Sequence, residues 1–176
     1  MTDEIKFNSK NKNIRMEGEE GSPQNQLRYE LYKEGFERID RGLKEERYFE
    51  VVCICDSIIN DRLTSLIQTM KNDEGIDFSY QSVGSIIRTL FKTVKETELK
   101  LDKDFKQLLI DVEHQWLPKR NFVSHSFVGV TNSSITMDLE KRLSIVKECG
   151  IEGSEYCRQI TKETQSLIRN LKKQRQ

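Results

Sequence analysis

The residues best suited to chemistry lie in the stretch Pro118-Lys119-Arg120-Asn121-Phe122-Val123-Ser124-His125. It holds one of the chain's two histidines, five positions after an arginine that an asparagine directly follows. A guanidinium keeps its charge at any physiological pH and offers planar donors that match phosphate oxygens. An imidazole gains and loses protons near neutrality. A fixed cation for phosphate charge and a titratable ring for protons are the tools for handling a phosphodiester. The spacing sets a condition on their use. At 3.6 residues per turn, positions five apart lie ~140° from each other around a regular helix. Arg120 and His125 share a face only if the segment is irregular near Pro118, or if the long arginine side chain closes the gap.

The surrounding elements must supply that geometry, and their hydrophobic spacing is helical. Leu27, Leu31, Ile39 and Leu43 recur at three- or four-residue multiples with Tyr32 and Phe36 beside them, with a bend expected at Gly42. Phe49, Val52, Ile59, Leu63, Leu66, Ile67 and Met70 form a second and broader stripe, widened by Val51, Ile54, Cys55 and Ile58. A helix apolar over so much of its circumference belongs at the centre of a core. Asn72-Asp73-Glu74-Gly75 ends it, and Ser82 is placed to cap the next helix, whose apolar face is Val83, Ile86, Ile87, Leu90, Phe91 and Val94. Arg88, Lys92 and Lys95 on its other face read as a solvated surface. Asp102 or Asp104 starts a helix with Phe105, Leu108, Leu109, Val112 and Trp116 in register.

Leu117-Pro118 is expected to end or kink that helix, because the residue before proline is pushed out of the α region. Proline is welcome in a first turn, so the motif segment restarts there, anchored by Phe122, Val123 and Phe127. Residues 128–137 read as a turn or short hairpin with Asn132-Ser133-Ser134 at its tip. Leu139, Leu143 and Val146 then mark a helix ending at Cys149-Gly150, and Ser154 caps a last one with Ile160, Leu167, Ile168 and Leu171 inward. The expected fold is all-α, an antiparallel bundle of five to seven helices spanning residues 26–176. Residues 1–25, where Ile5, Phe7, Ile14 and Met16 lie scattered without period, read as a disordered polar tail.

Arg120-Asn121 with His125, set between helices, resembles the signature of the HEPN superfamily: an arginine, often followed by a polar residue, then four to six positions to a histidine. The resemblance spans residues 27 to 171 by architecture and six residues by motif. It implies a metal-independent endoribonuclease, acting as a homodimer whose two Arg/His pairs face one cleft, in a toxin–antitoxin or antiviral defence role with an antitoxin or regulatory protein as a further partner. By that resemblance His125 is general base on a ribose 2′-OH, or general acid to the leaving 5′-oxygen. Arg120 stabilises the charge of the phosphorane-like transition state, and Asn121 orients His125 or holds a phosphate oxygen. A two-fold interface would also let each protomer complete its partner's site. The chain departs from members that continue His-x-Tyr, because it reads His125-Ser126-Phe127 and lacks the hydroxyl their control requires.

Composition narrows the alternatives. Lys plus Arg and Asp plus Glu each number 29, so nothing global favours duplex DNA, and no basic recognition helix is evident. The same neutrality leaves open a non-catalytic HEPN-like module that binds a protein or nucleotide. No run reaches the ~18–20 apolar residues of a membrane span, the N-terminus lacks the apolar core of a signal peptide, and a cytoplasmic location is expected. Cys53, Cys55, Cys149 and Cys157 form no Cys-x-x-Cys motif and read as reduced thiols. Glu113-His114 has no second ligand pair at helical spacing, so neither a metal nor a cofactor is expected. Ser124-His125-Ser126 is no nucleophile arrangement, since sequence neighbours point apart. Trp116 reads as a core anchor, with the wall of a base-stacking pocket as the alternative.

Overall fold

The computed structural model describes residues 23–73, 75, 76, 78, 81–129 and 137–175, and among them the regular structure is helical throughout. The all-α bundle is as expected. Helix α1 is Pro23–Lys44, α2 Tyr48–Lys71, α3 Val83–Glu96, α4 Lys103–Asp111, α5 Leu117–Asn121 and α6 Leu139–Gln174. Two π-helical turns, Val112–Trp116 and Phe122–Ser126, join α4 to α5 and extend α5, so residues 103–126 form one continuous rod. Helix α1 starts at Pro23, inside the stretch read as tail, where proline's missing N–H costs a helix nothing. Residues 1–22 and the expected hairpin tip, 130–136, lie outside the described residues.

Helix α2 is the central element. Val51, Val52, Cys55, Ile59, Leu63, Leu66 and Ile67 are all at most 1 % exposed, because α1, α3 and α6 pack around it. Its largest contact is with α6. Those two helices run parallel, where the expectation was an antiparallel bundle, with Gly150 against Tyr48 at one end and Arg175 bonded to Asn72 at the other. Helix α1 lies antiparallel on α2, and the 103–126 rod lies antiparallel on α6. Ser82 caps α3 as expected, and of the two candidates Asp102 and Asp104 it is Asp102 that caps α4, each capping side chain accepting a backbone N–H. Asn72 closes α2 in the left-handed conformation, at the first residue of the stretch expected to end it.

The expected breaks are met differently, each for a physical reason. Gly42 does not interrupt α1, which runs on to Lys44. A Cβ there would come within 2.7 Å of Val51 Cγ2, so the glycine lets α2 approach. Gly150 does not end a helix, and Ser154 caps none, since α6 runs unbroken for 36 residues. A Cβ on Gly150 would meet Tyr48 at 3.1 Å, and one on Gly153 would meet Trp116 Nε1 at 2.8 Å. At Pro118 the rod continues, but its α-ladder breaks beforehand and restarts at Leu117 with the proline in the first turn, as expected. The π-turn before it shifts the hydrogen-bond ladder, with Leu117 N–H donating to Val112, and the wider backbone leaves room for a ring that would otherwise clash.

The apolar stripes are also displaced at their ends. Leu27, Leu31, Phe49, Leu139 and Leu143 are exposed, while Tyr32, Phe36 and Ile39 supply the buried face of α1. Trp116 is fully buried and donates its indole N–H to Cys149 O at 3.0 Å. That is the core anchor, and the stacking-pocket alternative does not apply.

Candidate active site

The rod carries the motif, and three tethers fix where it lies. Trp116 docks onto the glycine-lined face of α6. Lys119 reaches Glu148 at 2.5 Å and Glu152 at 2.7 Å on the same helix. Burial works against the Lys119 charge, but the two carboxylates outweigh it and hold its pKa above the usual lysine range. Its ammonium in turn keeps the Glu148 carboxyl below the usual carboxylate range. Beyond the motif, the buried guanidinium of Arg142 accepts no bond and donates to the carbonyls of Ser126, Phe127 and Gly129.

Arg120 projects toward α2. Its Nη2 donates to Asp56 Oδ2 at 2.5 Å, with only 18 % of the arginine side chain and 21 % of the aspartate exposed. Its Nη1 donates to Asn121 Oδ1 at 3.0 Å. Asn121 therefore engages Arg120, and among the described residues it makes no bond to His125. Arg120 Nε and Asp56 Oδ1 have no hydrogen-bond partner among the described residues, which leaves the pair one donor and one acceptor in reserve.

His125 is exposed and lies inside the second π-turn. In a π-helical turn the ladder joins residues five apart, so such residues stack much as four-apart residues do in an α-helix. The turn begins two residues after Arg120 and includes His125. Irregular backbone flanks the motif arginine on both sides, one π-turn ending directly before Leu117-Pro118 and the second beginning after Asn121. Arg120 is held inward by a carboxylate, and His125 is left toward solvent.

Phe49 and Phe127 meet edge-to-face at 4.8 Å beside this end of the rod, with Phe122 next to Phe127. Glu113 is taken up by Arg88 at 3.0 Å. Among the described residues no three His, Cys, Asp or Glu side chains converge as a metal site requires, and no helix is long and apolar enough to cross a membrane. Asp56 and Arg142 escaped the sequence reading. Each acts on the motif across a long chain separation, and neither carries a local pattern. No protein-family model, curated protein or solved structure matches the chain.

Proposed function

We propose that the chain is a metal-independent endoribonuclease of HEPN type that works as a homodimer on RNA, in a toxin–antitoxin or antiviral defence role. What supports the reading is the Arg120-Asn121 and His125 motif itself, with the arginine braced by Asp56 and Asn121 and the imidazole exposed within the second π-turn. In the reaction, His125 takes the proton of a ribose 2′-OH, or donates one to the leaving 5′-oxygen. The attack is internal, so the substrate must be RNA and the product end is a cyclic phosphate. Arg120 answers the negative charge that builds on the phosphorus oxygens. Asn121 acts through Arg120 by fixing its Nη1.

The test uses purified protein and RNA in EDTA. Cleavage is expected with the parent, and Arg120→Ala and His125→Ala should each abolish it. Parent-level cleavage by both variants would remove the site assignment.

One observation favours the alternative, a non-catalytic HEPN-like module that binds a protein or nucleotide. Asp56 already neutralises Arg120, which lowers the positive potential available to a phosphate. Harmless expression in a host cell together with no RNA turnover would support the module.

A further inference from the structure

A helix ends with four carbonyls that have no intrahelical donor, and a cation near them is favourable. At the C-terminal end of the motif rod those carbonyls converge on one side chain. Arg142, in the first turns of α6, is 8 % exposed. Its Nη1 donates to Ser126 O at 3.2 Å and Phe127 O at 2.6 Å, and its Nη2 to Gly129 O at 3.1 Å. Its Nε donates to Met137 O at 3.2 Å, and its guanidinium lies 5.7 Å from the Phe122 ring centre. Ser126 and Phe127 directly follow His125, while Gly129 and Met137 are the two stems of the segment between the rod and α6. A planar fork with five donors can serve several carbonyls at once, and a lysine ammonium cannot reproduce that pattern.

We infer that Arg142 is a positioning residue, fixing the last turn of the rod and through it the place of His125. The catalytic consequence rests on the role given to His125 above; the structural one does not. Without the guanidinium, the carbonyls of Ser126 and Phe127 at the rod's end and of Gly129 beyond it lose a buried donor, and the π-turn beside them is the first part to fray. The same side chain bonds Gly129 and Met137, so the places of those two residues and of His125 are set together.

Arg142→Lys and Arg142→Met in the full chain test this, read by amide hydrogen exchange and by RNA cleavage. Amides of Ser124 to Phe127 should exchange about 10-fold faster or more in both variants, with protection in α2 and α3 unchanged. The kcat should fall about 10- to 100-fold, the usual scale for a misplaced catalytic group, with little change in KM. Unchanged exchange at Ser124–Phe127 would overturn the inference. So would a uniform loss of protection in the lysine variant, which would make Arg142 a general stabiliser. If the parent itself cleaves no RNA, the ribonuclease reading fails, and the exchange measurement still decides the role of Arg142.

Discussion

Asp56 precedes Arg120 by 64 positions and closes on its guanidinium on the inner side of the motif rod. The pair sits between the solvent-exposed bridges that contribute ~0–1 kcal/mol and the fully buried ones whose rupture costs ~3–5 kcal/mol. Asp56→Ala should therefore destabilise the fold by about 1–3 kcal/mol, read as a lower urea midpoint with an unchanged m-value. An unmoved midpoint would mean that the ion pair contributes nothing. At this scale the sequence exposed Arg120, Asn121 and His125 because their types and spacing carry a meaning of their own. Asp56 and Arg142 carry none until the chain is folded. A carboxylate on one helix and an arginine on another look like any of the 58 charged side chains. The sequence also left Asn121's partner open, and the contact to Arg120 comes from the fold.

The elements were legible in type and less so in extent. Ser82 and Asp102 were readable as caps because a cap is a local event. Gly150 was misread as punctuation because it serves a tertiary end that no local rule sees, whereas Pro118 does stand in the first turn of a new α-helical segment. Gly153 makes the point testable. On propensity alone, Gly→Ala in a helix interior should stabilise by ~1 kcal/mol. The Cβ would lie 2.8 Å from Trp116 Nε1 and 3.1 Å from its ring, and overpacking of that kind costs ~1–3 kcal/mol. Gly153→Ala should thus lower the urea midpoint, and Trp116 fluorescence should shift as the indole leaves Cys149 O. A raised midpoint would show that propensity wins and that the approach of rod to α6 is loose. The stripes of Leu27, Leu31, Leu139 and Leu143 were misassigned for a related reason: their spacing is helical, but only burial decides which of two adjacent faces turns inward.

At the scale of the whole molecule, the parallel pairing of α2 with α6 organises everything else. Helix α1 and α3 cover α2, and the rod crosses onto α6. The thiols report on that packing. Cys55 and Cys157 are fully buried between the two helices, and Cys149 is buried beside them. A hydrogen bond with Cys157, together with burial, raises the Cys55 pKa, and burial pushes Cys149 up to about 12. Only the thiolate reacts, so these groups should be inert in the native state. Cys53 is the exposed one. A thiol-reactive dye at neutral pH should label one cysteine quickly in the native protein and all four in denaturant. Fast labelling of two or more without denaturant would contradict the α2–α6 core.

The central claim is that Arg120 and His125 together break RNA without a metal. The most direct measurement follows a defined RNA in EDTA with parent protein and with His125→Ala, and identifies the new 3′ ends. The parent should leave cyclic phosphate ends and the variant none. Cyclic phosphate ends formed equally by the variant, or no cleavage by the parent, would contradict it.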